Sequence, residues 1–343
     1  MKINVGIIGA SGYTGAELLR LLAVHPKMQL EFATADSQAG KEVTELYPHL
    51  SFYAGKSFVK FPDLGSSLEK AELIFCALPH GEAMKVLPAL KNKVVVDLGG
   101  DFRLDEASVY TKWYKHEHTA EASLKDWQYG LTELFRADIK KSKRIANPGC
   151  YPTACTLPTA PLVKAGLIEG VINISAMSGT SGAGRVPSAG LHVSHVMEDV
   201  KAYKVAEHQH TPEIELAISK FSGKDALVSF TPHLLPMVRG INATCVARVA
   251  HGVSLDKLFD CLYQTYKNEK FVDVVKKNAG TKEVRGSNRA VISVFHDVRT
   301  SQAVVTCVID NLVKGAAGQA LQNANLVFEL DEQLGLEGQG LYP

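Results

Sequence analysis

The chain lacks most of the features that would send it to a membrane, a secretory route or a nucleic acid. No stretch approaches the run of about 18 charge-free apolar residues that a bilayer-spanning helix requires. No charged n-region, apolar h-region and cleavage site precede the first strand pattern, which begins within Met1-Lys2-Ile3-Asn4-Val5. The six cysteines, at 76, 150, 155, 245, 261 and 307, form no C-x-x-C pair and no closely spaced disulfide framework. A reducing cytoplasm is therefore the expected compartment. The formal net charge is only +1, which supplies no field to attract nucleic acid or an anionic membrane. There are no internal repeats and no low-complexity tract. His116-Glu117-His118 lacks the H-E-x-x-H spacing and a third ligand nearby, so a solvated loop is expected there rather than a metal site.

What is present describes an ordinary globular protein, 46% hydrophobic and 21% charged. At 343 residues it is long for a single core, and two domains are expected. Ile3-Asn4-Val5-Gly6-Ile7-Ile8 reads as a buried strand. It runs into Gly9-Ala10-Ser11-Gly12-Tyr13-Thr14-Gly15 and then into helically spaced apolar residues, Ala16 to Leu22. Strand, glycine turn and helix together form a dinucleotide site: glycines admit the backbone close to a pyrophosphate, and the helix start offers N–H donors. The spacing is G-x-x-G-x-x-G, which alone is weak; its place one strand from the N-terminus strengthens it over a plain strand-to-helix turn.

A second strand, Leu30 to Ala35, ends at Asp36-Ser37, where a ribose-reading residue should fall. An acid there accepts from a 2′-hydroxyl and repels a 2′-phosphate, so Asp36 argues for NAD, while Ser37 could serve a phosphate. The strand Leu73 to Leu78 ends in Pro79-His80-Gly81, a loop placed to face a cofactor; His80 reads equally well as an ordinary loop residue. Val94 to Leu98 is another buried strand, followed by Gly99-Gly100-Asp101-Phe102-Arg103, and Arg103 could clamp a carboxylate or phosphate. Surface arginines often do nothing so specific.

The stretch with most chemistry is Asn147-Pro148-Gly149-Cys150-Tyr151-Pro152-Thr153. Pro148-Gly149 makes a tight turn, and Pro152 suits the first turn of a helix. Cys150 would then stand at a helix N-terminus, where unpaired N–H groups and the dipole favour a thiolate. A buried cysteine filling an apolar hole is the alternative; turn chemistry on both sides favours the reactive thiol. A helix is predicted over Ala154 to Leu162, bent or ended by Pro158 and Pro161.

A strand over Val171 to Ala176 leads into Ser178-Gly179-Thr180-Ser181-Gly182-Ala183-Gly184-Arg185. Glycines interleaved with hydroxyls and closed by arginine suit an anion or cofactor loop better than a flexible linker. Glu207-His208-Gln209-His210-Thr211-Pro212-Glu213 offers two imidazoles, which share a face if the segment is extended, followed by Pro212 at a helix start. An acid/base role beside the thiol outweighs a structural or zinc role, since no further ligand follows at zinc spacing. His192 and His195 decorate a surface helix. The β-branched runs at 227–230, 240–247, 290–294 and 303–309, with a helix over Leu255 to Asn268, predict an antiparallel sheet covered by helices. Asp310 to Ala320 opens a final helix whose small residues suit close packing, back on the first domain.

Taken together, GASGYTGAELLRLL, NPGCYPTA, SGTSGAGR, HQHTPEI, TPHLLPMVRG and DNLVKGAAGQALQNAN resemble N-acetyl-γ-glutamyl-phosphate reductases, in that family's order and over nearly the whole chain. The resemblance implies NADPH-dependent reduction of N-acetyl-L-glutamyl 5-phosphate to the 5-semialdehyde with release of phosphate, a step of arginine biosynthesis. It implies an α/β architecture: a Rossmann domain over 1–149, an α+β catalytic and dimerisation domain over 150–310, like that of aspartate-semialdehyde dehydrogenase, and a C-terminal segment, 311–343, returning to the first domain. A homodimer or homotetramer is expected.

Carried onto this chain, the resemblance makes Cys150 the nucleophile and His208 the acid/base. Arg103, Asn147, Tyr203, His210 and Glu213 line the substrate site. Gly9, Ser11, Gly12, Tyr13, Thr14 and Gly15 form the pyrophosphate loop, with Ser37 and Pro79 also at the cofactor. Ser178, Gly179, Ser181, Gly182 and Asn311 approach the nicotinamide. Many members carry arginine where Asp36 stands, which leaves NAD open beside NADP; Gln209 replaces a frequent arginine. The implied mechanism passes through a Cys150 thioester that is reduced by hydride to a thiohemiacetal and released as aldehyde, with His208 as proton source. Competing readings are an aspartate-semialdehyde dehydrogenase-type reductase, separable by comparing substrates with and without the acetyl group, and a reductase of carrier-protein-bound acyl phosphates, which a basic groove would favour. A nucleotide-sensing module would bind cofactor but leave Cys150 unreactive.

Overall fold

The computed structural model describes residues 2–343. The chain divides into two compact units, one made of the residues up to Pro148 together with Ala316–Glu337, the other of Gly149–Gly315 with Gly338–Pro343.

The first unit is built on six parallel strands: β1 (Ile3–Ile8), β2 (Met28–Ala33), β3 (Leu73–Cys76), β4 (Val94–Asp97), β5 (Gln128–Tyr129) and β6 (Arg144–Ala146). They lie in the order β2-β1-β3-β4-β6-β5, and every pairing is parallel. Strands covered on both faces must be apolar throughout, and β3 is Leu-Ile-Phe-Cys with all four residues buried. Helix α1 (Tyr13–Ala23) connects β1 to β2 and buries Leu18, Leu19, Leu21 and Leu22. The neighbours of β1 are β2 on one side and β3 on the other, so the strand order reverses there, and ligands gather at the carboxyl ends of strands beside such a reversal. Helices α2 (Ala107–Tyr114) and α3 (Thr132–Ile139) follow β4 and β5.

In the second unit, helix α4 (Cys150–Lys164) lies against a seven-stranded sheet of order β11-β12-β13-β10-β7-β9-β8. Its strands are β7 (Ile168–Ser178), β8 (Lys201–Ala202), β9 (Val228–Leu234), β10 (Ile241–Val249), β11 (Val272–Val275), β12 (Ala290–Asp297) and β13 (Gln302–Ile309). Alternate residues, such as Ala243, Cys245 and Ala247 on β10 and Val305 and Cys307 on β13, are buried beneath the helices. Helices α5 (Thr211–Ser222) and α6 (Leu255–Tyr266) pack beside α4. The sheet is mixed, not antiparallel: β7 pairs parallel with β9, and β11 with β12. A parallel pair needs a crossover, and α5 supplies it between β7 and β9.

The helix expected over Ala154–Leu162 is longer than its prolines suggest, running unbroken through Pro158 and Pro161. Pro161 cannot donate to the carbonyl of Leu157, and the Tyr266 hydroxyl takes that place at 2.6 Å. The last element, α7 (Gly318–Val327), belongs to the first unit, where Gln319 and Asn323 donate to the carbonyl of Gly130.

Candidate active site

The nucleotide half of the site begins where β1 ends. Gly9 sits at φ +82°, and a Cβ there would lie 2.6 Å from the Ala77 carbonyl oxygen. Gly15 is equally constrained: its Cβ would meet Ala10 backbone atoms at 2.5 Å. These two glycines let the turn close and let α1 dock on β1. Gly12, the N-cap of α1, has nothing within 4 Å of an added Cβ, and the first turn of α1 carries no acid. Open space before unpaired helix N–H groups is the environment a pyrophosphate fits. The Gly9 amide donates to Thr34 Oγ1 at 3.2 Å, and the Tyr47 hydroxyl to the Ser11 carbonyl at 2.7 Å, which fixes the loop. Tyr13 is exposed beside it, as are Asp36 and Ser37 beyond β2.

The Pro79–Gly81 loop is held from below. Asp101 accepts from the Gly81 and Ala83 amides at 2.8 and 3.1 Å and from the Tyr110 hydroxyl at 2.8 Å. His80 Nδ1 accepts from the Gly100 amide at 3.1 Å. Asp97, wholly buried, has its carboxyl pushed up to about 7, first by burial and then by the charge of Asp101. Arg103 is also buried; its Nε and Nη2 donate to the carbonyls of Asn147 and Leu98, each at 2.8 Å. The Asn147 side chain is equally engaged: it donates to the Ala316 carbonyl at 3.1 Å and accepts from Asn323 at 3.0 Å. Both residues brace the strand end that leads to Pro148. His118, expected in a solvated loop, is instead buried, with Nε2 2.7 Å from the Asp101 carbonyl and its ring edge-on to Phe102 and Tyr110. Of the aromatic neighbours that draw it inward, Phe102 lies in the loop after β4 and Tyr110 on α2, so nothing in the residues beside His118 marks a buried face. Among the described residues no group of three His, Cys, Asp or Glu side chains converges as a metal site.

In the second unit Cys150 is the first residue of α4, with Gly149 as N-cap and no acid in the first turn. Cys76, Cys155, Cys245 and Cys307 are buried, and burial drives the thiols of Cys76, Cys155 and Cys307 well up. Half-buried Cys261 is also pushed up by burial, and its Sγ donates to the Pro161 carbonyl. Cys150 is the half-buried cysteine at a helix start. Around it the buried Glu213 accepts from the Gly149 amide at 2.8 Å. The segment carrying His208 and His210 is a turn rather than a strand, yet their ring centroids are 4.8 Å apart. His208 Nδ1 accepts from the His210 amide at 3.1 Å, so the neutral ring carries its proton on Nε2. The hydroxyls of Tyr151 and Tyr203 are 2.9 Å apart; burial raises both, Tyr203 to about 12. Tyr151 packs edge-on to His208, a contact that the sequence reading missed although Tyr151 adjoins the cysteine.

The Ser178–Gly184 loop is tied rather than flexible. Gly179 lies so close to Val238 that a Cβ would be 2.6 Å from its carbonyl oxygen. Asn311 donates to Ser181 Oγ at 2.9 Å and accepts from the Gly240 amide at 2.8 Å. Buried Ser178 donates to the Gly179 carbonyl at 3.1 Å, while Gly182 stays exposed.

Known proteins match along the whole chain. Residues 4–142 match the model of the semialdehyde dehydrogenase NAD binding domain, and residues 150–311 that of the semialdehyde dehydrogenase dimerisation domain. The N-acetyl-gamma-glutamyl-phosphate reductase of Desulforamulus reducens is 44% identical over 99% of this chain and all of its own. That of Pelotomaculum thermopropionicum is 45% identical over the full length of both chains. A probable chloroplastic counterpart of Arabidopsis thaliana is 44% identical over 99% of this chain and 86% of its own. Among solved structures, aspartate semialdehyde dehydrogenase II of Vibrio cholerae shares the fold at TM-score 0.74 and 18% identity, over 96% of this chain and 99% of its own. The Candida albicans aspartate semialdehyde dehydrogenase with NADP does so at TM-score 0.72 and 15% identity, over 95% and 98%. The chain belongs to the N-acetyl-gamma-glutamyl-phosphate reductase family.

Proposed function

We propose that this protein reduces N-acetyl-L-glutamyl 5-phosphate to N-acetyl-L-glutamate 5-semialdehyde, releasing phosphate, in arginine biosynthesis. The observation that carries the reading is the half-buried Cys150 at the start of α4, its preceding amide held by Glu213 and its neighbourhood lined by His208, His210, Tyr151 and Tyr203. The helix start favours the thiolate. The thiolate attacks the acyl carbon, a C–S bond forms, and the C–O bond to phosphate breaks, leaving a thioester. Amide groups at the helix start stabilise the oxyanion of the tetrahedral intermediate. The nicotinamide cofactor, when bound, supplies the hydride that reduces the thioester. His208 offers its Nε2 proton, as a hydrogen bond, to the oxyanion that the hydride leaves on the resulting thiohemiacetal. That oxyanion re-forms the carbonyl as the C–S bond breaks, which frees the aldehyde and restores the thiolate.

Arg103 is read as the contact for a substrate anion, with Asn147, Tyr203, His210 and Glu213 completing the substrate site. Gly9, Ser11, Gly12, Tyr13, Thr14 and Gly15, with Ser37 and Pro79, hold the dinucleotide, and Ser178, Gly179, Ser181, Gly182 and Asn311 serve its nicotinamide end. The open N-cap at Gly12 supports a pyrophosphate there. NADP is the cofactor in this reading, with the Ser37 hydroxyl toward the 2′-phosphate; the exposed Asp36 is the residue that opposes it. The cytoplasm is the compartment in this reading; assembly as a homodimer or homotetramer accompanies it, and the dimerisation-domain match over residues 150–311 supports that assembly. Phosphate-dependent oxidation of N-acetylglutamate semialdehyde, with aspartate semialdehyde for comparison, run with NADP and NAD in parallel on wild type and Cys150→Ala, tests the reaction and its cofactor. Turnover with NADP that disappears in the variant is expected. Equal turnover by the variant, or turnover of aspartate semialdehyde alone, overturns it.

A further inference from the structure

Helical backbone resumes after β13 not as an α-helix but as a π turn, Val313–Ala317, in which the Gly315 amide reaches back five residues to the Asp310 carbonyl at 2.9 Å. Such turns carry one more residue than an α turn, with weaker geometry, and persist where something holds them. Here the holding is explicit. Asp310 is fully buried; its Oδ1 accepts from the amides of Leu312 and Val313 at 2.8 and 3.1 Å, and its Oδ2 from the Gly286 amide at 2.7 Å. Asn311 is fastened on both sides, to Gly240 and Ser181. Lys314 is fully buried with its ammonium 5.7 Å from the Phe271 ring centroid.

The residue that this widened turn presents to the start of α4 is Gly315. A Cβ at position 315 would lie 2.8 Å from the Cβ and 3.2 Å from the Cα of Cys150, and 3.3 Å from Ile309 Cδ1. The first distance is shorter than non-bonded carbons tolerate, and its partners are a Cβ and a backbone atom that cannot rotate away. The backbone of the π turn is therefore the wall against which the cysteine rests.

We propose that Gly315 is a positioning residue for Cys150, the π turn setting the place of the thiol by bare backbone contact. The proposal rests on reading Cys150 as the nucleophile. A methyl group at 315 must push Cys150 off the start of α4 or break the turn, and displacement of a reacting group by about 1 Å costs on the order of 10²-fold in rate.

The test is Gly315→Ala, with Gly338→Ala as control, since a Cβ at 338 meets nothing within 4 Å. Turnover with N-acetylglutamate semialdehyde, phosphate and NADP is measured beside the pH dependence of Cys150 alkylation by iodoacetamide, located by peptide mass. Gly315→Ala is expected to lower kcat about 10²-fold with little change in KM, and to move alkylation toward higher pH as helix-start support for the thiolate is lost. The control is expected to match wild type in both. Wild-type kcat and alkylation in folded Gly315→Ala overturn the proposal. So does recovery of both in Gly315→Ala/Ile309→Val, which would put the clash at Ile309. If Gly315→Ala does not fold, Asp310→Ala removes the acceptor of the Leu312 and Val313 amides and loosens the turn without adding volume; a smaller loss confined to kcat is expected, and wild-type kcat overturns the proposal. A Cys150→Ala protein that still turns over, or a wild-type Cys150 no more reactive than the other cysteines, sinks the catalytic reading instead.

Discussion

Glu213 Oε1 accepts a 2.8 Å hydrogen bond from the backbone amide of Gly149, the residue before Cys150. The carboxylate comes from the first turn of α5 and is buried, so it serves as an acceptor for an N–H group that the N-cap leaves without a helical partner.

Replacing Glu213 separates its acceptor from its charge. Glu213→Gln keeps an oxygen toward Gly149 and is expected to lose little stability in urea unfolding. Glu213→Ala strands a buried donor, and a loss of about 1–3 kcal/mol is expected. Equal stability of the two variants would show that the bond to Gly149 does no anchoring.

His208 is expected to act through its Nε2 proton. His208→Asn should lower kcat by about 10²–10⁴-fold, the usual contribution of a positioned acid/base. Alkylation of Cys150 should persist in the same variant, because the thiol keeps its place at the helix start. Rapid turnover by His208→Asn in steady-state assays would assign the proton transfer elsewhere.

Asp97 ties stability to pH. Its carboxyl is pushed up to about 7 from an ordinary 3.8, so between those values the folded protein binds a proton that the unfolded chain does not. Stability from this group is therefore full below about pH 4 and is lost as pH rises to about 7. Asp97→Asn should flatten that slope in thermal or urea melts taken across the window. An unchanged slope would place the titration on another group.

Tyr266 and Pro161 should be coupled. Tyr266→Phe leaves the Leu157 carbonyl without its 2.6 Å donor and is expected to cost about 1–3 kcal/mol. In a Pro161→Ala background the helix supplies its own N–H to that carbonyl, and the cost of Tyr266→Phe should shrink. Additive losses in the double-variant cycle would rule out the shared acceptor.

Local signals carried much of the architecture. The strand of Ile3–Ile8, the glycines at 9, 12 and 15 and the helix behind them are contiguous, and the structure adds only why Gly9 and Gly15 admit no side chain. The helix start at Cys150 was legible because its turn residues lie within a few positions of it. The errors have non-local causes. A proline-containing helix survives because a tyrosine 109 positions away satisfies its carbonyl. Strand direction in the second sheet depends on a crossover that β-branched runs do not encode. His118 is buried by Phe102, in the loop after β4, and Tyr110, on α2, neither of them beside it in sequence. Gly315 read as one small residue among several, and only its 2.8 Å approach to Cys150 distinguishes it.

The first unit closes only with Ala316–Glu337, so its polypeptide is interrupted by everything from Gly149 to Gly315. During synthesis the amino-terminal sheet leaves the ribosome well before α7, the helix whose Asn323 and Gln319 satisfy Gly130 and Thr132. Nascent protein must therefore wait, with that surface uncovered, until the intervening segment has been translated. Chains stalled before residue 316 should be the ones that chaperones hold.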